Sequence, residues 1–502
     1  MMPSLNLIIR TDANVAIGTG HVMRCLALAQ ACQDEGGHAV FVMADSTPAV
    51  EERLRSEGFE IVRLEASPGS PADCNRTVEI AGNNATDWVV IDGYHFGAEY
   101  QRIINAARLK VLAIDDNGHA EHYCADIVLN QNLHASELLY LNHEPHTRLL
   151  LGTRYAMLRR EFKSWRAWKR EISPIAHKVL VTLGGSDPGN VTQVVVDALC
   201  KLDRDDVIAT VVAGGSTPRL NVLQAAIAQA GMDIRFVVNA TKMAELLAAT
   251  DLAVSGAGST CWEMCFMGVP AIILDVADNQ QELARRLNEV GAAIHLPSSE
   301  ITATKLAGEI ASLIQSREAR QDISQKAREL VDGKGGDRVL AALTVGIRLR
   351  RTQPSDCRFL WEWANDPEVR SMSFSAEPIP WGRHVEWFTS KLSDPSAILY
   401  VATDETEHPV GQVRCDVYGR RAVLSLNLGP QFRGKGWGRK MLLLAKDEIF
   451  RDSDVDIIDA FVKPDNEPSL RLFEGLGFYR EGLENVQGQQ AVHFVLTKNS
   501  AE

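Results

Sequence analysis

The stretch LIIRTDANVAIGTGHVMRCLALAQ, Leu7 to Gln30, limits what this chain can fold into more than any other. Its apolar run, Leu7 to Ile9, reads as a buried strand, and Val22, Leu26 and Ala29 fall at the spacing of a helix core face. A glycine turn joins them. A buried strand feeding a helix through so short a turn is the unit of an α/β sheet. Gly18 and Gly20 let the backbone come close to a ligand, and His21 lies in the first helical turn, where unpaired N–H groups make the potential positive. That potential disfavours imidazolium, so His21 is a candidate general base. The same position also suits a histidine that only hydrogen-bonds the turn.

The alternation continues. HAVFVMA, EIVRL, DWVVIDGY, KVLAIDD and DIVLNQN supply further strands up to about residue 155, which predicts a parallel sheet covered on both faces. Ligands of such sheets sit beyond the carboxyl ends of the strands. Asp12, Asp92, Tyr94, Asp115, Asp116 and Asn130 fall there and should crowd one rim with His21. A strand-end Asp serves as readily as a cap or turn residue. The segment RREFKSWRAWKREISP reads as a polar, helix-like linker ended by Pro174. A second alternation follows with HKVLVTLGGSDPGN, VIATVVAGG, IRFVVN, DLAVSGAG and VPAIILDVA. Two glycine turns interrupt it, Gly184-Gly185 before Ser186, and Ser255 to Ser259, with Gly258, before a helix carrying Glu263. Each can present N–H groups to a pyrophosphate, and neither holds a P-loop lysine or a full dinucleotide fingerprint.

The formal charge of −13 and the lack of any pooled Lys/Arg stripe argue against nucleic acid as a partner, but not against a small anion. Nine cysteines with no C-x-x-C pair argue against a disulfide framework or zinc knuckle. His119, His122 and Cys124 match no common zinc spacing, so no metal is expected. With no leader pattern and no apolar run long enough for a bilayer, the chain reads as cytoplasmic, without a membrane partner.

The second glycine turn, the Glu263 helix and DNQQELA (278–284) resemble the second domain of the MurG-like GT-B fold. That resemblance implies that Glu263 binds the ribose hydroxyls of UDP and that Asn279, Gln280 and Gln281 lie near the sugar, with Gly185, Ser186, Gly258 and Ser259 at the diphosphate. IRTDANVAIGTGHVMRCLALA, VVIDGY, AIDDN, DIVLNQN and VTLGGSD narrow it further. From about Leu5 to Ala342 the chain is similar to the UDP-2,4-diacetamido-2,4,6-trideoxy-β-L-altropyranose hydrolase family of pseudaminic acid synthesis. Its G-x-G-H-x-x-R signature is carried here by Gly18, Gly20, His21 and Arg24. The resemblance implies inverting hydrolysis of a nucleotide sugar, with His21 as base, Asp12 orienting it and Tyr94 touching the sugar. UDP is already a good leaving group, so neutralising it can replace a catalytic acid.

Beyond about Leu343 the pattern changes. ILYVATD, HPVGQVRCDVYG and RAVLSLNLG read as antiparallel strands, followed by PQFRGKGWGRKMLLLAKDEIF. Arg433, Gly434, Lys435, Gly436 and Gly438 form an anion cradle between a strand and a helix. This R-x-x-G-x-G signature, with VKPDNEPSLRLFEGLGF, resembles the GNAT acetyltransferases from about Ile347 to Lys498. It implies acetyl-CoA with its pyrophosphate on the glycines, its pantetheine along Leu426 to Leu428, and a contact from Asn466. Phe473 stands where many members have a proton-donating Tyr, leaving water or Tyr479. Glu368, His384 and Glu386 are equal candidates for the base.

The expected fold is therefore α/β, with two Rossmann-like domains in a GT-B arrangement (1–160 and 161–344) and an α+β GNAT domain (345–502). The expected function is bifunctional: acetylation of the 4-amino group of a UDP-linked amino sugar, then release of UDP. The alternatives are a MurG-like glycosyltransferase with an attached acetyltransferase, and a nucleotide-sugar sensor whose GNAT domain acetylates a protein.

Overall fold

The computed structural model describes residues 5–14, 17–185, 187, 189–215, 217, 220–344, 347–404, 407–434 and 436–498, apart from the side chain of residue 278. They form two compact units, Met1–Ala342 and Leu343–Glu502.

The first unit holds two parallel sheets. β1 (Asn6–Thr11), β2 (His38–Met43), β3 (Glu60–Arg63), β4 (Trp88–Asp92), β5 (Lys110–Ile114), β6 (Ile127–Asn130) and β7 (Arg148–Leu151) lie in the order β3-β2-β1-β4-β5-β6-β7. β8 (Lys178–Thr182), β9 (Ile208–Ala213), β10 (Ile234–Val238), β11 (Leu252–Gly256), β12 (Ala271–Leu274) and β13 (Ile294–Leu296) lie in the order β10-β9-β8-β11-β12-β13. Both are doubly wound, and the strand order reverses between β1 and β4 and between β8 and β11. Their central strands are largely apolar because both faces are covered, with β3 and β10 at the sheet edges more exposed. In the second sheet Val179, Val181, Val254 and Ile272 enter one core, while Leu180, Ala253, Ala271 and Ile273 enter another.

The second unit is α+β. β14 (Ile347–Arg351), β15 (Ala397–Asp404), β16 (Pro409–Tyr418), β17 (Arg421–Leu428), β18 (Ile457–Val462), β19 (Tyr479–Val486) and β20 (Gln489–Thr497) lie in the order β14-β15-β16-β17-β18-β20-β19. β17 and β18 alone are parallel neighbours, paired only from Arg421–Val423 to Ile457–Asp459. Beyond Val423 the edge of β17 that faces β18 has no strand partner among the described residues.

Several expectations change. The linker is not helical: only Arg160–Trp165 forms a 3-10 turn. The rest is a strap whose Arg170 donates to the carbonyls of Met267 at 2.9 Å, Leu247 at 2.6 Å and Thr250. Those carbonyls end or follow helices and lack intrahelical donors, so the cation is worth more to the strap than a helix of its own. The stretch 317–344 forms two helices, Arg317–Leu330 and Gly335–Thr344, parted at Gly333, whose φ is +76°. β7, β13, β18, β19 and β20 escape the sequence pattern, and β19 does so because almost all of its side chains are exposed. Among the described residues no helix is long and apolar enough to cross a membrane.

Candidate functional site

His21 opens the helix Gly20–Asp34 directly after β1. Its Nδ1 lies 2.6 Å from Asp92 Oδ1, at the end of β4. β1 and β4 are neighbours with Thr11 beside Asp92, so the pair spans the switch point where doubly wound sheets bind ligands. Arg24, one turn further on, donates to both Asp92 oxygens at 2.7 Å and to Asp116 Oδ1 at 2.6 Å. Asn132 donates to the same Asp116 oxygen at 2.7 Å. An ionised carboxylate only accepts, so Nδ1–H donates to Asp92, the arrangement that in a neutral ring puts the lone pair on Nε2. Burial pushes the Asp92 carboxyl up, but Arg24 and His21 outweigh it and hold it well below the ordinary range. The His21 side chain retains 10% of its exposure.

Tyr94 meets the His21 ring edge to face at 5.2 Å. Its hydroxyl donates to Asp116 Oδ2 and accepts from Asn279 Nδ2 of the second sheet's lobe, each at 3.2 Å. Burial, then the Asp116 charge, push this phenol up to about 12, so it stays protonated. Gly18, with φ +73°, closes the turn by donating to Asn14 O at 2.9 Å.

Asp12 does not orient His21. Its Oδ1 takes the Arg10 guanidinium at 2.7 Å and the amides of Ala44 and Asp45 at 2.8 and 2.9 Å, while Oδ2 faces His95 Nε2 at 3.3 Å. Following β1, it is held by the amides after β2 and by His95 after β4 rather than by His21. The orienting role falls to Asp92, which the sequence places on the rim without a role; the doubly wound strand order is the signal that singles it out.

The two glycine turns of the second lobe differ. After β8, Gly184 has φ +93°, and a Cβ on Gly185 would come within 2.5 Å of Thr19 Oγ1. The next helix, Val191–Cys200, is already capped: Asp187 accepts from the Val191 and Thr192 amides at 2.9 Å. Ser186 lies outside the described residues. After β11, Gly258 has open space around it, and the helix Thr260–Met267 has no side-chain cap. A Cβ on Gly20 would lie 4.0 Å from Ser259 Oγ, so this uncapped N-terminus faces the one bearing His21. Such an end suits an anion.

Glu263 is buried on that helix, and its Oε1 takes Arg159 Nε and Nη2 at 2.9 and 2.8 Å. Its Oε2 is buried with no partner, leaving one oxygen able to accept from a hydroxyl pair. Gln280 is spent on the turn: Oε1 accepts from Ala257 and Val276 at 3.2 and 3.3 Å. Gln281 opens the next helix.

In the second unit Gly434 and Gly436 have φ +71° and +78° with open space around them, and Gly436 precedes the helix Trp437–Asp452. Gly438 is buried against Leu428, whose Cδ1 would meet an added Cβ at 3.4 Å. Arg433 does not serve the cradle. It donates to Asp366 at 2.7 Å, to Glu368 at 2.8 Å and to Leu428 O at 3.3 Å, because two nearby carboxylates hold it. The described residues of the turn offer backbone amides, and Lys435 lies outside the described residues. Asn466 caps the helix Glu467–Glu474, its Oδ1 accepting from Ser469 N at 3.2 Å. Phe473 is buried against Phe478 and Phe494, Tyr479 is exposed, and His384 is buried. With Glu368 engaged by Arg433, these contacts single out no acetyl-transfer base.

Residues 179–334 match the Glycosyltransferase family 28 C-terminal domain, and residues 347–479 match the Acetyltransferase (GNAT) domain. The UDP-2,4-diacetamido-2,4,6-trideoxy-beta-L-altropyranose hydrolase of Campylobacter jejuni is 24% identical over 57% of this chain and 97% of its own length. The chain fuses a relative of that hydrolase to a GNAT domain. An uncharacterised protein of Methanocaldococcus jannaschii is similar throughout, 26% identical over 96% of this chain and 98% of its own. The spore coat polysaccharide biosynthesis protein SpsG of Bacillus subtilis is 27% identical over 46% of this chain and 68% of its own. The fusion is thus an enzyme with a glycosyltransferase-like nucleotide-sugar region and an acetyltransferase domain.

Proposed function

We propose that the chain acetylates the 4-amino group of a UDP-linked 4-amino-4,6-dideoxy sugar of the altropyranose series and then hydrolyses the acetylated product to free sugar and UDP. Residues 1–160 supply the base, 161–344 grip UDP, and 345–502 transfer the acetyl group. The observation that carries the hydrolytic half is His21 Nδ1 on Asp92 at a helix start facing the uncapped helix Thr260–Met267.

Nε2 of His21 takes a proton from water as its oxygen attacks the anomeric carbon. The bond from that carbon to the diphosphate oxygen breaks on the opposite face, giving inversion. The departing negative charge is met by the N–H groups at Gly258 and Ser259, donors fixed before the reaction begins. Glu263 Oε2 accepts from the ribose hydroxyls, while Tyr94 and Asn279 border the sugar.

Acetyl-CoA is the cosubstrate of the second unit. The left-handed φ of Gly434 and Gly436, with open space where a Cβ would stand, fits the close approach of a pyrophosphate. The free edge of β17 from Leu424 to Leu428 fits the amides of the pantetheine arm.

The test is to incubate the chain with acetyl-CoA and the UDP-4-amino sugar and to follow UDP and free sugar by mass spectrometry. Acetylated free sugar and UDP are expected, with UDP release lost in His21→Asn. UDP release only on adding a sugar acceptor would favour a glycosyltransferase, and acetyl transfer only to polypeptide lysines would favour a sensor.

A further inference from the structure

Away from the His21 network, the loop after β5 meets the loop before β7. Tyr123 and His143 form an isolated parallel bridge, held by Tyr123 N to Asn142 O at 2.8 Å and Glu144 N to Tyr123 O at 3.0 Å. Side chains alternate along extended backbone. Tyr123 turns inward, fully buried, and its hydroxyl donates to Asp115. Its neighbours His122 and Cys124 share the other side, and Glu144 joins them from the second loop. One ligand atom from each lies within 4.8 Å of the others, with His122 Nε2 3.1 Å from Glu144 Oε1. Local spacing in the sequence cannot reveal this trio, because its third member comes from another loop.

We propose that His122, Cys124 and Glu144 bind a divalent transition-metal ion of the zinc class. Thiolate and carboxylate together cancel its two positive charges. The sulfur and imidazole donors disfavour calcium or magnesium, which take oxygen ligands. Ligands at about 2.0–2.3 Å from a shared zinc lie roughly 3.5 Å apart, so small side-chain rotations close the site. Three protein ligands leave a fourth position for water. The ion would pin the two loops together and so brace Tyr123 against Asp115, the residue before the Asp116 that holds Arg24.

The test uses the full chain, stripped with chelator and titrated with Co(II) and Zn(II) alone. One saturable equivalent is expected, with a thiolate-to-cobalt charge-transfer band. Cys124→Ser should lose the band, and His122→Ala and Glu144→Gln should weaken binding about tenfold or more. The last two side chains are 38% and 41% exposed, so those variants keep the test decisive even if Cys124→Ser folds poorly. No saturable binding, a cobalt spectrum without the sulfur band, or unchanged affinity in both His122→Ala and Glu144→Gln would overturn the site.

Discussion

The rim around His21 and the turn around Gly436 are both glycine turns that open a helix, yet they are built in opposite ways. At the rim, side chains form the machinery: Asp92, Arg24 and Asp116 make a buried ionic chain that fixes one imidazole. At the GNAT turn Arg433 is engaged by Asp366 and Glu368, and what the other described residues offer is backbone. The chemistry explains the contrast. Water is a poor nucleophile and needs a base of fixed tautomer, whereas a thioester is already activated, so holding it beside an amine supplies much of the rate.

The largest effect expected from breaking this contrast is at His21. His21→Asn should lower UDP release by about 10²–10⁴-fold and leave acetyl transfer unchanged, both read on the same sample. Asp92→Asn should cost about 10²-fold or more in kcat by freeing the wrong tautomer. Asp12→Asn should lower the melting temperature but keep kcat in the folded fraction. Equal loss of kcat in the two would return Asp12 to the orienting role.

Acid should separate the two units next. The Asp115 carboxyl is fully buried; burial pushes it up, but His119 and Tyr123 outweigh this and bring it down to about 2. A carboxylate depressed on folding contributes stability above its unfolded value of about 4, and loses it as pH falls from there toward 2. For Asp115 that is about 2–3 kcal/mol, and Asp92 titrates in the same direction. In the second unit Asp394 is likewise held at about 2, by Ser396 and Lys391, but it is solvent-exposed and contributes little. Hydrogen exchange on the intact chain near pH 3 should show Met1–Ala342 opening before Leu343–Glu502. The reverse order would mean that the ionic chain stabilises less than its burial implies.

Gly436 tests the backbone side of the contrast. A Cβ there meets nothing within 4 Å, but φ is +78°, so Gly436→Ala costs about 1–2 kcal/mol of left-handed strain without a clash. The KM for acetyl-CoA should rise about tenfold, with UDP release unchanged.

The sequence shows the central parallel strands because a strand buried on both faces is apolar along most of its length. It shows the two glycine turns because only glycine serves there. It hides β19, whose side chains face solvent and carry no alternation, and the strap after Arg160, whose shape is set by carbonyls distant in sequence. The site divides the same way. His21 is legible from its own turn, but choosing Asp92 over Asp12 requires knowing which strand lies beside β1. Likewise, the R-x-x-G-x-G signature announces Arg433 as an anion ligand, and only the fold shows Asp366 and Glu368 competing for it.

The smallest effect concerns the two glycine turns of the second lobe, which the sequence treats as equals. Asp187 fills both of its carboxylate oxygens with the first amides of the helix Val191–Cys200, so a diphosphate arriving there would have to displace a charge already in place. No side chain caps the helix Thr260–Met267. Asp187→Ala should therefore cost about 1 kcal/mol of stability, the usual worth of a cap. Its KM for the UDP-sugar should stay within about twofold, equivalent to less than half a kcal/mol. Adding a methyl at the open turn, with Gly258→Ala, should leave stability nearly unchanged and raise that KM. If instead Asp187→Ala altered KM while Gly258→Ala did not, the diphosphate would belong on the β8 turn, and its departure could no longer be met by the amides that face His21.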